Sequence, residues 1–229
     1  MIKINLLRAP SLKSDGFEVA TFGYLCDAAY QEGAKAVYGN FTPGRNARNK
    51  LCRGVRWGVY THDTFLWHHR DTYSLSASSN PQEAGAVRRF DLIPDSFLQH
   101  TLTEQLLRDV FGRWQFADSC FDRAYECQLS AIRYEPTLGA SAEPSPPYPH
   151  HDEVDGAVVV LNKESVIGGI NRLFDNADQP LYEFCLEPGS GFLVKDDMLK
   201  HYVSDLQLPM GANKGFRDVL IIRFQPLGR

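Results

Sequence analysis

The chain has 229 residues, 43% hydrophobic and 23% charged, with a formal net charge of −4 and a pI near 6.0. This suits one globular domain with a sizeable core, and the acidic balance argues against a nucleic-acid-binding face or a polybasic membrane patch. No apolar run reaches the roughly 18 residues of a membrane span, and residues 1–7 lack the apolar core and cleavage site of a signal peptide.

The five cysteines (Cys26, Cys52, Cys120, Cys127, Cys185) are odd in number, scattered and never in a CxxC pair. They read as reduced thiols of a cytoplasmic protein rather than a disulfide framework or a zinc site.

In chain order, residues 18–36 are rich in Ala, Leu and Tyr and predict a helix. Residues 40–56 are basic, with Arg45, Arg48, Lys50, Arg53 and Arg56. They read as a solvated loop or face, with a pocket wall attracting an anionic ligand as the alternative. Residues 57–66 suit a strand, and residues 76–85 a loop. Leu102, Leu106, Leu107, Val110, Phe111 and Trp114 recur at helical spacing and predict a helix over 102–114. Thr101 and Glu104 can form a capping box at its start.

From Cys127 onward the texture turns to β. Residues 128–134 read as a strand, and residues 136–149, with five prolines and a glycine, as a loop. Residues 156–161 are a β-branched run, and Gly168-Gly169 marks a turn. Residues 181–186, 191–195, 201–206 and 218–224 are further short strands, a spacing that predicts a sandwich or jelly roll. The expected fold is mainly β with flanking helices (α+β), one domain over 1–229. Residues 1–126 would supply helices and outer strands, and 127–229 a metal-binding core.

His150 and Asp152 stand at i and i+2, so on a strand both side chains point the same way. His201 follows in another predicted strand. Two histidines and one carboxylate can hold iron(II) on one face and leave the other open. Arg217, at the head of the last strand, can grip a cosubstrate carboxylate bidentately. Arg223 shares its strand face by parity and would need a partner of its own. Two rival pairings exist: His151 with Glu153, and the second triplet His69-Arg70-Asp71. The first set is favoured because a further strand-borne histidine and an arginine follow it. A cupin-like isomerase or hydrolase with another metal, or a non-catalytic jelly-roll binding module, are the alternative functions.

The stretch Pro149-His150-His151-Asp152, then Ile167-Gly168-Gly169, Phe174-Asp175, Pro188-Gly189, Asp196-Asp197, His201 and Arg217-Asp218-Val219-Leu220 resembles the iron(II)/2-oxoglutarate dioxygenases that hydroxylate free amino acids, such as the isoleucine dioxygenases. The resemblance covers residues 128–224. It implies a double-stranded β-helix, the distorted jelly roll of that superfamily. It implies Fe(II), 2-oxoglutarate and O2, with His150, Asp152 and His201 as iron ligands and Arg217 on the distal carboxylate of 2-oxoglutarate. The implied reaction hydroxylates an aliphatic free L-amino acid at an unactivated C–H and releases succinate and CO2. Glu153, where the family often has Gly, and residues 145–149 depart from the usual pattern beside the metal set. A small amino-acid substrate needs a cation for its carboxylate and an acceptor for its ammonium. Arg133 is the candidate cation, Glu153 or Asp155 the candidate acceptor, and Asn171 and Arg172 further pocket residues.

Overall fold

A computed structural model describes residues 9–43, 51–61, 63–74, 87–119, 123–152 and 154–227. The elements in order are α1 (Leu12–Asp15), β1 (Phe17–Thr21), α2 (Ala28–Gly39), β2 (Leu51–Thr61), β3 (Thr64–His68), β4 (Thr72–Ser74), β5 (Val87–Arg89), β6 (Asp91–Leu92), α3 (Asp95–Leu98), α4 (Thr101–Asp118) and β7 (Tyr125–Tyr134). Then follow β8 (Asp155–Glu164), β9 (Ile167–Gly168), β10 (Ile170–Phe174), β11 (Pro180–Cys185), β12 (Ser190–Val194), β13 (Lys200–Val203), β14 (Leu206–Gln207) and β15 (Phe216–Pro226).

One large sheet runs β1-β12-β8-β15-β7-β2-β3, with β6 on β2. A smaller sheet runs β11-β10-β13, and β9 pairs with β14. This is the expected jelly roll, mainly antiparallel. Strand alternation gives the large sheet two different faces. The outward side chains Leu129, Ala131, Leu220, Ile222 and Phe224 join one core with the helical residues Tyr38, Leu106, Val110, Phe111 and Trp114. The inward side chains Ile132, Tyr134, Val160 and Val219 join a second core with Leu173, Phe192 and Leu206. Each fully buried Leu, Val or Phe contributes about 1.5–3 kcal/mol. The helices therefore back the large sheet, and its inner face is left to build a site.

The helix predicted over 102–114 extends over Thr101–Asp118, with Leu106, Leu107, Val110, Phe111 and Trp114 buried. Its cap is not the Thr101 box. His100 is the N-cap, and its Nδ1 accepts the Leu102 N–H at 3.2 Å. The helix predicted within 18–36 begins only at Ala28, where the Asp27 side chain accepts from Tyr30 N. Glu18 lies instead in β1. Residues 57–66 form a hairpin rather than a single strand, with Thr61 opposite Thr64. Of the basic stretch, residues 44–50 lie outside the described residues, as does the loop expected over 76–85. Residues 51–56 are strand, not loop. There Arg56 is buried on the outer face and pairs with Asp95. β1 and β2 sit in the same sheet as β7, β8, β12 and β15, so both halves of the chain build it. Among the described residues no helix is long and apolar enough to cross a membrane.

Candidate metal and cosubstrate site

His150 and His201 face each other across a local β-bridge. His150 N donates to His201 O at 3.1 Å, and His201 N to His150 O at 3.0 Å. The bridge brings their rings to 4.4 Å between centroids. Asp152 lies past the bridge, and its Oδ2 is 3.7 Å from His201 Nε2. One ligand atom from each of the three lies within 4.8 Å of the others, a spacing that fits one ion. His69 and Asp71 belong to no such group among the described residues.

The protonation chemistry fits a cation as well. Burial pushes the His201 imidazole down to about 4, so it is neutral and able to ligate. Burial alone would raise the Asp152 carboxyl. The charge and hydrogen bond of Arg223, with His201, outweigh that and hold it well below the usual carboxylate range. Arg223 Nη2 sits 2.8 Å from Asp152 Oδ2. The His150 ring places Nδ1 3.2 Å from Tyr148 O. If Nδ1 carries the proton, Nε2 is the nitrogen free for a metal. Asp196 Oδ1 accepts the Asp152 N–H at 2.7 Å and so fixes the ligand loop from behind. His151 lies 3.8 Å from Asp196 Oδ2 and lines a surface pocket with Val154, Asp155 and Asp196. Glu153, its partner in the rival pairing, lies outside the described residues.

Arg217 opens β15 opposite Tyr134 and Lys163 and is 2% exposed. Its Nε and Nη2 have no hydrogen-bond partner among the described residues. A buried guanidinium in that state costs free energy unless an anion joins it. Space for one is kept by Gly169, at φ +69°. A Cβ there would lie 2.7 Å from Arg217 Nη1 and 2.9 Å from Leu206 Cδ2. Asn171 is buried nearby on β10, its Nδ2 near Gly169 O and Phe184 O, and its Oδ1 has no described partner. Burial pushes the Tyr134 hydroxyl up, while Arg53, Arg217 and Arg223 pull it back and Asp152 pushes it further. One buried hydroxyl thus feels all four charges, which places them around a common interior.

Other residues expected in the site lie elsewhere. Arg133 is on the outer face: its Nε and Nη2 bind Asp218 at 2.7 and 2.8 Å, and Nη2 also donates to Lys35 O of α2. Its Nε and Nη2 are committed to Asp218 and α2 on the face away from the triad, which does not fit the carboxylate role expected of it. Asp155 Oδ1 accepts from Asp196 N, on the rear side of the ligand loop. Arg172 pairs with Glu183 at the exposed edge of the small sheet. Sequence reading gave Arg223 no partner, and it missed Asp196 as the support of the ligand loop. The parity of β15 was the available signal for Arg223.

Comparison with known proteins agrees. The 2OG-Fe dioxygenase family model matches residues 35–223. An L-isoleucine-4-hydroxylase from Bacillus thuringiensis is 28% identical over 167 residues, covering 70% of this chain and 68% of that protein. The crystal structure of IDO from Bacillus thuringiensis superposes with a TM-score of 0.78 at 20% identity, covering 95% of this chain and 96% of the other. A bsmA homolog from Methylobium petroleophilum gives 0.79 at 20% identity, over 95% and 91%. At such identity the structural likeness speaks for the fold. The family match, spanning most of the sequence and the triad, speaks for the chemistry. It supersedes the cupin-type and binding-module alternatives: the chain belongs to the 2OG-Fe dioxygenase family, enzymes that use Fe(II), 2-oxoglutarate and O2.

Proposed function

We propose that this dioxygenase hydroxylates a free aliphatic L-amino acid, with His150, Asp152 and His201 as the iron ligands and Arg217 as the anchor of 2-oxoglutarate. The observation that carries the site is the ligand triad lying in one interior with a buried guanidinium, Arg217, whose Nε and Nη2 have no hydrogen-bond partner among the described residues. The substrate class rests on the relative named as an L-isoleucine-4-hydroxylase.

When bound, iron(II) with 2-oxoglutarate and dioxygen supplies the oxidising power, and succinate and carbon dioxide leave. The chain's own residues do the rest. Neutral His201, together with His150 and the charged Asp152, would present three donor atoms to the ion. Arg223 keeps Asp152 ionised and holds its Oδ2, which fixes how the carboxylate can turn. Arg217, inside the jelly roll, takes the far carboxylate of the cosubstrate by a bidentate pair and sets the direction from which its other end approaches. The inner-face core of Ile132, Val160 and Val219 excludes water around these groups.

The test is succinate formation by purified protein with iron(II), ascorbate, oxygen and 2-oxoglutarate, screened over the twenty amino acids beside a His201→Ala control. Stimulation by one or a few aliphatic amino acids, lost in the variant, is the expected result. Uncoupled turnover that no amino acid stimulates would discard the substrate class. Succinate formation undiminished in His201→Ala would discard the ligand assignment.

A further inference from the structure

Residues 143–149 run from the bridge between Ala142 and Leu206 to the bridge between His150 and His201, and four of them are proline. They pass beside residues 202–205, which close the same gap on the facing chain. Prolines bring no N–H to a ladder, yet Val203 turns its N–H and C=O toward this side. Ser145 meets them with its side chain. Its Oγ accepts the Val203 N–H at 3.1 Å, and its own hydrogen reaches Val203 O or Pro146 O, each at 3.2 Å. One hydroxyl thus takes the place of a third bridge. Beside it, the Tyr134 hydroxyl donates to Pro144 O at 3.4 Å and ties the same point of the loop to the large sheet.

The chain between Ser145 and His150 is stiff. Pro146, Pro147 and Pro149 have φ fixed by their rings, and Ser145, Pro146 and Tyr148 are each restricted by the proline that follows. Placing one end of such a segment places the other. His150 Nδ1 lies 3.2 Å from Tyr148 O, inside this segment, so the ring as well as the backbone takes its position from it. Ser141 makes a contrasting contact. Its Oγ donates to Asp205 Oδ2 at 3.1 Å, but from beyond Ala142, with the Ala142 bridge between it and His150.

We infer that Ser145 is a positioning residue for the iron site. Its hydroxyl, held on Val203 two residues past His201, sets where His150 stands against His201. It acts through these two residues, and the inference rests on the reading that both are iron ligands. It also gives a physical reason for the unusual stretch at 145–149: the prolines stiffen the approach to His150, and the serine anchors it.

The test is anaerobic equilibrium dialysis against iron(II) of Ser145→Ala, Ser145→Cys, Ser145→Thr, Ser141→Ala and His150→Ala beside the unaltered chain, each checked for folding by thermal melting. The iron dissociation constant should rise about 10- to 100-fold in Ser145→Ala and Ser145→Cys. Ser145→Thr keeps the hydroxyl and should stay within about threefold. Ser141→Ala should bind iron as the unaltered chain does, even where it lowers the melting temperature. The visible spectrum of the cobalt(II)-loaded protein follows ligand geometry, and it should change in Ser145→Cys but not in Ser141→Ala. If Ser145→Ala does not fold, Ser145→Cys decides. Unchanged iron affinity in Ser145→Cys would overturn the assignment. So would equal losses in the Ser145 and Ser141 variants, or a loss in Ser145→Thr as large as in Ser145→Cys. In each of these cases iron lost from His150→Ala leaves the ligand reading intact. Iron held in full by His150→Ala would remove the ligand reading and the inference together.

Discussion

Arg217 is the residue whose state in the fold is hardest to explain without a ligand. A guanidinium 2% exposed, with two nitrogens that have no hydrogen-bond partner among the described residues, should make the protein less stable than a well-packed apolar side chain would. Arg217→Met is therefore expected to leave the melting temperature unchanged or raised. It should also raise the KM for 2-oxoglutarate by at least about tenfold. A fall in stability with unchanged KM would assign Arg217 to the scaffold. Asp155 makes the opposite kind of case. Burial pushes its carboxyl up to about 6 from an ordinary 3.8, against the pull of the Asp196 N–H. A folded value above the unfolded one means that its contribution to stability is complete below about pH 4 and is lost as pH rises through about 6. Asp155→Asn should therefore melt higher than the unaltered protein at pH 8, and the gap should close on acidification to pH 4. Thermal melts across that range check the sign, and a gap that widens toward pH 4 would contradict it.

At the level of strands, the question is which face a side chain takes. The sequence places Arg133 on the correct strand, beside the correct loop, yet a strand offers two faces. Only pairing with Asp218 of β15 settles which one. The two residues are direct partners in register, and Asn162 Nδ2 approaches the same carboxylate at 3.3 Å. Arg133→Met should leave Asp218 buried without its cation and cost about 3–5 kcal/mol by denaturant titration. The affinity for amino acid should follow only the loss of folded protein. A specific loss of substrate affinity at full stability would return Arg133 to the site. Legibility followed the same logic elsewhere. The helix at Thr101–Asp118 was readable because its apolar period is local, and the strand run from Cys127 onward because turn residues punctuate it. The cap was misassigned to Thr101 since His100 can offer a ring nitrogen in place of a hydroxyl. β2 was hidden within a basic stretch, because its arginines alternate between the inner Arg53 and the outer Arg56, and a charge count cannot see alternation.

Across the whole molecule, the grouping of His150, Asp152 and His201 was legible from the short His-x-Asp spacing and one later histidine, although only His201 stands on a named strand, with His150 held by an isolated bridge and Asp152 in the loop before β8. The surrounding interior was not. The wall carrying Arg53 comes from β2, which pairs with β7 roughly seventy residues away in the chain, and such long-range pairing leaves no local signature. The helices α2 and α4 fill the outer face of the large sheet, which frees its inner face for polar groups that a core would otherwise exclude. The central claim is that this interior holds one iron(II) through His150, Asp152 and His201. The most direct measurement is anaerobic dialysis of the protein against iron(II) and 2-oxoglutarate, comparing the unaltered chain with Asp152→Ala and His201→Ala after confirming their folds by thermal melting. The account predicts close to one iron per chain in the first and almost none in the variants. Equal iron in all three would place the metal elsewhere and contradict it.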